Sequence, residues 1–147
     1  MYKIVPTSCF YTNQIHEIEK ECFTAPWSLS ALNAEVERPT SIGLMALDAS
    51  GTIVAGHISM RHVINEGHIS NIAAAKAHRR KGIASLLLQN LINEAAKREM
   101  IGLTLEVRVS NHAAISLYKK FGFETEGQRK NYYANPTEDA FIMWKKF

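Results

Sequence analysis

The sequence predicts an α/β fold in which helices flank a mixed, largely antiparallel central sheet. Stretches with apolar residues at helical spacing alternate with stretches rich in β-branched residues, and three strand-like runs follow one another in the middle of the chain. The chain has 147 residues, of which 46% are hydrophobic and 21% are charged, as is usual for one globular domain. We therefore expect a single domain spanning residues 1–147.

The first third of the chain is predicted to form one strand and two helices. Residues Tyr2 to Val5 form the strand candidate, and Thr12 or Asn13 is positioned to cap the first helix. That helix carries apolar residues at helical spacing: Ile15, Ile18 and Cys22. Ser28 is a second N-cap candidate, and Pro39 ends the helix that follows it.

The middle of the chain predicts an antiparallel meander followed by a long helix. The three strand candidates are Ile42 to Leu47, Thr52 to Val63 and His68 to Ala74, and each is separated from the next by turn residues. The segment from Ile83 to Arg98 then places Leu87, Leu91 and Ala95 on one helical face.

The last third alternates between strand and helix. A strand is expected from Leu103 to Val109, and a helix from Asn111 to its end at Gly122. A final strand is expected from Ala140 to Trp144. The predicted order is therefore strand, two helices, three strands, helix, strand, helix and strand.

Composition excludes several functional classes. The net charge of +3 is too small for a dedicated nucleic-acid surface, and no apolar run resembles a signal peptide or a membrane span. We expect a cytoplasmic protein without a nucleic-acid or membrane partner. No metal site is expected, because the six histidines include no HExxH motif and no tight cluster with cysteine. Cys9 and Cys22 are expected to be buried apolar residues.

A basic turn precedes the long helix. It consists of Arg79, Arg80, Lys81, Gly82, Ile83, Ala84 and Ser85. Free N–H groups at a helix start, together with nearby cations, favour phosphate binding, and Gly82 allows close approach to the backbone. The spacing fits neither GxxxxGK[ST] nor GxGxxG. A pyrophosphate of another kind fits better, but the turn alone is equally compatible with a solvated basic helix start.

Two further residues are candidates for acid–base chemistry. Strand alternation places Glu106 on the polar face with Thr104 and Arg108, so the carboxylate either reacts or pairs with Arg108. Tyr118 lies on the apolar side of the next helix, where it is either a core tyrosine or a proton donor.

Together these segments resemble the GNAT superfamily of acetyl-CoA-dependent N-acetyltransferases, in its RimI-like branch. The basic turn is similar to that family's [Q/R]-x-x-G-x-[G/A] signature at Arg79, Gly82 and Ala84. The resemblance spans nearly the whole chain, and the further matching segments are Pro26-Trp27-Ser28, Asn71-Ile72-Ala73, Leu105-Glu106-Val107-Arg108, Ser110-Asn111, Leu117-Tyr118, Phe121-Gly122-Phe123, Asn131-Tyr132-Tyr133 and Glu138-Asp139-Ala140.

The resemblance implies a role for each matching position. For the cosubstrate, acetyl-CoA, it implies that Ile72, Ala73 and Ala74 line the acetyl and pantetheine arm. Asn111 would contact the cosubstrate near the thioester. The pyrophosphate would bind to the basic turn, at Arg79, Arg80, Lys81, Gly82, Ile83, Ala84 and Ser85. The resemblance also implies Glu106 as general base and Tyr118 as general acid. The acceptor would lie against Trp27, Tyr132 and Tyr133.

The implied reaction is acetylation of a protein N-terminus, typically the alanine of a small-subunit ribosomal protein. We expect the protein to be a monomer. A GNAT that acetylates a small amine or a lysine side chain is the nearest alternative, and the Asn131-Tyr132-Tyr133 segment argues against it. A CoA-binding regulatory domain without turnover is the second alternative. The presence of both Glu106 and Tyr118 argues against that one.

Overall fold

Seven strands form one continuous sheet in the computed structural model, which describes residues 1–147. The strands are β1 (Lys3–Pro6), β2 (Ser41–Leu47), β3 (Val54–Val63), β4 (Glu66–Ala74), β5 (Gly102–Arg108), β6 (Glu124–Tyr133) and β7 (Glu138–Lys146). Their spatial order is β1-β2-β3-β4-β5-β7-β6, and only β4 and β5 are parallel neighbours. The predicted mixed, largely antiparallel sheet is confirmed.

Four helices cover this sheet on both faces. They are α1 (Thr12–Cys22), α2 (Leu29–Glu37), α3 (Ile83–Lys97) and α4 (His112–Lys120). Alternation along β2 separates two cores, because Ile42 and Ala46 join the large cluster that contains α3, whereas Met45 and Leu47 pack with α1 and α2. None of the helices has the length and apolar character that crossing a membrane requires.

Helix starts follow the predicted capping in two cases out of three. Ser28 Oγ accepts from the Ala31 N–H at 3.1 Å, and Asn111 Oδ1 accepts from the Ala114 N–H at 3.2 Å. The prediction of Thr12 or Asn13 as a cap is wrong, because a short 3-10 turn (Cys9–Tyr11) leads directly into α1. Ser8 caps that turn instead.

The expected burial of both cysteines is also wrong. Cys9 is exposed and Cys22 is partly exposed. Cys22 is the last residue of α1, where its Sγ donates to the Ala74 carbonyl at 3.4 Å and contacts Arg79 Nη2 at 3.3 Å. Both cysteines therefore lie at element ends, and Cys22 packs only partly against the small core.

Strands β4 and β5 separate after a short paired region. They pair only at Glu66 with Gly102, Gly67 with Leu103 and His68 with Thr104. Just beyond this point β4 contains an extra residue, Ser70, because Ser59 of β3 faces Asn71 whereas Met60 faces Ile69. A bulge of this kind bends a strand. The rest of β4 stays paired with β3 and leaves a gap on its β5 side.

Candidate active site

The basic turn opens α3 with a backbone arranged for an anion. Gly82 is the N-cap residue in the left-handed region, with φ +75°, and a Cβ there would meet nothing within 4 Å. The first helical bond of α3 runs from the Leu86 N–H to the Gly82 carbonyl at 2.9 Å. The preceding N–H groups, those of residues 83–85, therefore have no helical partner. These N–H groups lie at the positive end of the helix dipole, which favours an anion.

The side chains of the turn differ in their availability. Arg80 and Lys81 are exposed, and neither forms a salt bridge. Arg79 Nη2 donates to Cys22 Sγ, and the Ile83 side chain is buried in the large core. A ligand at this turn would therefore contact the backbone N–H of Ile83 rather than its side chain. The side chains of Arg80 and Lys81 are free to provide positive charge beside an anion.

The gap beside β4 leads from this turn into the sheet. Ile72 and Ala74 are partly buried against the large core, and Ala73 is buried in the cluster under α1. Because the Ala73 side chain is enclosed, only its backbone is available to a ligand. No strand pairs with this part of β4 on its β5 side. A ligand with amide groups could occupy that edge as an added strand would.

Glu106 lies at the opening of the gap, and its partner is not Arg108. His68 Nε2 donates to Glu106 Oε1 at 2.7 Å, and the Tyr132 hydroxyl donates to the same oxygen at 3.4 Å. The Glu106 side chain is 11% exposed and that of His68 is 42% exposed. This pair therefore connects a sheltered carboxylate to solvent.

Arg108 is occupied elsewhere, so the expected alternative of a Glu106–Arg108 ion pair is wrong. Its guanidinium bonds to Glu138 Oε1 at 3.1 Å and to two backbone carbonyls of the loop between β6 and β7. It also lies over the Tyr133 ring, 4.4 Å from the centroid. Arg108 thus anchors the loop that carries the tyrosines.

Tyr118 is nearly enclosed between α4 and the sheet. It is 5% exposed, and its ring is 5.8 Å from that of Phe123. Burial, and secondarily the nearby Tyr133 hydroxyl, raise the Tyr118 pKa well above its usual value. Its hydroxyl therefore stays protonated at neutral pH and has no hydrogen-bond partner within the chain.

The residues expected at the acceptor site come from two separate elements. Tyr132 and Tyr133, at the end of β6, form a T-shaped pair with centroids 5.0 Å apart, and Tyr132 is 46% exposed. The pKa of Tyr133 is raised to about 12, mainly by burial and also by Tyr132 and Glu106. Trp27 lies at the corner between α1 and α2, above a cavity of about 40 Å³.

Asn111 lies near these groups in the chain but is partly committed. Its side-chain oxygen caps α4, which leaves its NH₂ group available. The structure thus brings Glu106, Tyr132 and Tyr133 together, and Tyr133 is near enough to Tyr118 to help raise the pKa of its hydroxyl. His68 is the functional candidate that the sequence interpretation missed. Nowhere do three His, Cys, Asp or Glu side chains converge as a metal site requires.

Comparison with known proteins adds to this geometry. Residues 12–123 match the acetyltransferase (GNAT) family. The chain is 37% identical over 131 residues to the ribosomal protein bS18-alanine N-acetyltransferase of Escherichia coli K12, covering 87% of this chain and 86% of that protein. A Bacillus subtilis protein, named as a candidate enzyme of the same kind, is 35% identical over 132 residues, covering 90% of this chain and 87% of that protein.

Solved structures give the same picture of the fold. The crystal structure of the Escherichia coli ribosomal-protein-S18-alanine N-acetyltransferase superimposes with a TM-score of 0.91 at 30% identity, covering 99% of this chain and 94% of that one. Arabidopsis thaliana NAA60 in complex with acetyl-CoA has a TM-score of 0.92 at 16% identity over the full length of both chains. The second similarity concerns the fold alone.

Proposed function

Because the chain belongs to the acetyltransferase (GNAT) family, we propose that it transfers the acetyl group of acetyl-CoA to the N-terminal amine of a protein. The acceptor is the N-terminal alanine of ribosomal protein bS18. The observation that carries the proposal is the gap between β4 and β5, which joins a free helix N-terminus to a sheltered carboxylate. Relatives of nearly the same length are named for this acceptor.

Acetyl-CoA would lie along that gap. Its pyrophosphate would accept hydrogen bonds from the free N–H groups after Gly82, with Arg80 and Lys81 as flanking charges. Its pantetheine amides would pair with the open edge of β4 at Ile72, Ala73 and Ala74. The thioester would then lie toward Glu106, and the Asn111 NH₂ group would face it from the start of α4.

The amine attacks the thioester carbonyl directly, and no acetyl-enzyme forms. An α-amine with a pKa of 7.7 to 8.0 is about a tenth to a sixth neutral at pH 7, whereas lysine is neutral at about one part in 2500. Glu106 accepts the proton that the amine loses, directly or through water. In the tautomer that carries its proton on Nδ1, His68 accepts this proton from Glu106 at Nε2 and releases the Nδ1 proton to solvent.

Tyr118 supplies the proton for the departing thiolate as the carbon–sulfur bond breaks. Transfer from an ordinary tyrosine to a thiolate of pKa about 8.5 is uphill by roughly 2 kcal/mol. Burial raises the Tyr118 pKa, so complete transfer costs more than that. We therefore expect the hydroxyl to donate a hydrogen bond to the developing thiolate before it releases its proton.

The proposed acceptor also indicates in which compartment the protein acts. We propose that residues 1–147 work as one domain and as a monomer in the cytoplasm, where ribosomal proteins are made, without binding nucleic acid or membranes. The single continuous sheet supports the one-domain proposal.

Intact-mass analysis of peptides after incubation with acetyl-CoA tests the proposed function. The panel contains peptides that begin with Ala, Ser, Leu and Phe, and one N-terminally blocked peptide with an internal lysine. We expect the alanine peptide to react fastest, and larger first residues to lose about five- to 150-fold in kcat/KM because they must displace packed rings. Faster acetylation of the blocked lysine peptide would instead identify a lysine acetyltransferase.

A further inference from the structure

A second buried carboxylate lies beneath the corner between α1 and α2. Glu19 of α1 is 0% exposed, and its oxygens accept from His57 Nε2 at 2.8 Å, from Asn71 Nδ2 at 2.9 and 3.0 Å, and from the Trp27 N–H at 3.3 Å. Burial opposes ionisation, but the bonds from His57 and Asn71 outweigh it, so the Glu19 pKa lies below its ordinary value. The group is therefore a buried, fully bonded anion.

The partners of Glu19 belong to both halves of the proposed site. Asn71 immediately precedes the β4 segment that would line acetyl-CoA, and His57 faces Ala73 of that segment across the sheet. Trp27 is the proposed wall of the acceptor pocket. One carboxylate thus bonds to the strand on the cosubstrate side and to the backbone on the acceptor side.

Trp27 is held from α1 at both of its backbone polar groups. Its N–H donates to Glu19, and its carbonyl accepts from His16 Nδ1 at 3.0 Å. The Trp27 side chain packs against the small core cluster under α1 and α2 and lines the cavity there. The position of this ring therefore depends on two side chains that lie one turn apart on α1.

A buried ion pair or anion often contributes no more to folding stability than well-packed apolar residues would. Its better-attested role is to select one arrangement of the surrounding chain. We propose, on the basis of the proposed function, that Glu19, assisted by His16, is a positioning residue. It sets the distance between Trp27 and the acetyl-CoA strand, and thereby favours acceptors with a small first residue. Glu19 itself is enclosed and touches neither substrate.

Steady-state kinetics of Glu19→Gln and His16→Ala, with peptides beginning with Ala and with Leu, tests this inference. For Glu19→Gln we expect the KM of the alanine peptide to rise, by up to the roughly 10²-fold that a misplacement of about 1 Å can cost. We also expect the Ala-to-Leu ratio of kcat/KM to fall. The acetyl-CoA Kd, measured by calorimetry, should stay within about twofold of the wild-type value. The substitution is expected to weaken binding of the peptide only, which raises KM. His16→Ala should change KM in the same direction by a smaller factor.

Glu35→Gln is the matched control. Glu35 is also a buried carboxylate and borders the same cavity, but it bonds to Arg61, Ser41 and Arg38 rather than to Trp27 or β4. We expect this variant to lose stability, as measured by thermal unfolding, and to keep the wild-type peptide KM. An equal rise in KM in the control, or a parallel loss of acetyl-CoA affinity in Glu19→Gln, would indicate general loosening and overturn the inference.

The outcomes also separate this inference from the proposed function. A wild-type protein that acetylates no peptide N-terminus refutes the proposed function, and the inference with it. An active wild type whose peptide KM and selectivity persist in both α1 variants refutes the inference alone. If Glu19→Gln does not fold, His16→Ala decides, because it removes a single hydrogen bond at a partly exposed site, and an unchanged peptide KM there is the refuting result.

Discussion

Glu106 shows how far strand alternation alone can specify a reactive residue. Its neighbours Leu105 and Val107 are 1% and 5% exposed, so the opposite face of β5 carries the carboxylate, as the sequence pattern predicts. His68 could not be found in this way, because it lies 38 residues from Glu106 in the chain and their contact depends on the register between β4 and β5. Sequence alternation assigns a residue to a face, but it does not reveal cross-strand partners.

Removal of either proton-transfer group is expected to slow chemistry and spare binding. Glu106→Gln and Tyr118→Phe preserve side-chain shape, and each should lower kcat by about 10² to 10⁴. Rapid-mix kinetics limited by the chemical step provides the measurement, and acetyl-CoA affinity should be unchanged. Glu66→Gln, an exposed glutamate at the start of β4, is the control. Wild-type kcat in both variants would mean that the two residues are structural.

Among the secondary-structure elements, the start of α3 combines a sequence signal with a conformational requirement. The run of basic residues predicts the turn, and the positive φ of Gly82 explains why glycine occupies the N-cap position. Substitution of Gly82 should not disturb packing, because no atom lies within 4 Å of an added Cβ.

Gly82→Val is therefore expected to affect ligand binding more than folding. Valine costs about 1–2 kcal/mol in the left-handed region, and its branches would block approach to the free N–H groups. Loss of even one charge-assisted bond corresponds to at least about a tenfold loss of acetyl-CoA affinity, which calorimetric titration measures.

Gly51→Val is the control that separates backbone strain from the loss of acetyl-CoA binding. Gly51 has φ +76° and is equally open, but it lies in the turn between β2 and β3. We expect similar destabilisation with unchanged acetyl-CoA affinity. If Gly82→Val also kept wild-type affinity, the pyrophosphate site could not lie at this turn.

The one strand that the sequence interpretation missed has no buried face to reveal it. In β6 every residue is at least partly exposed, and most are polar. Apolar alternation is absent because only the register with β7 holds this edge strand in place. The core strands and α3 were predictable to within a few residues because their apolar periods reflect burial, whereas β6 depends on pairing that only the folded chain supplies.

For the molecule as a whole, buried carboxylates make stability depend on pH. Arg61, and secondarily Ser41 and Arg38, hold the Glu35 pKa below its usual 4.5 in spite of burial. The folded state then binds fewer protons than the unfolded state between the two pKa values. The stabilisation from Glu35 is therefore complete above about pH 4.5 and is lost as pH falls toward the folded-state value.

Urea unfolding at pH 7 and pH 3.5 measures this dependence. We expect the wild type to lose more free energy of unfolding between these conditions than Glu35→Gln, which has no proton to gain at this position. Equal losses in the two proteins would mean that Glu35 does not contribute to acid sensitivity.

The bulge at Ser70 has a thermodynamic consequence for the whole sheet. By turning β4 away from β5, it leaves the protein with an incomplete sheet whose missing hydrogen bonds a ligand along the gap would supply. A ligand that binds only the folded state adds RT ln(1 + [L]/Kd) to its stability, about 2.7 kcal/mol at one hundred times Kd. Amide hydrogen exchange along this edge of β4 would then slow as acetyl-CoA rises, so the rigidity of the fold would vary with the supply of its own cosubstrate.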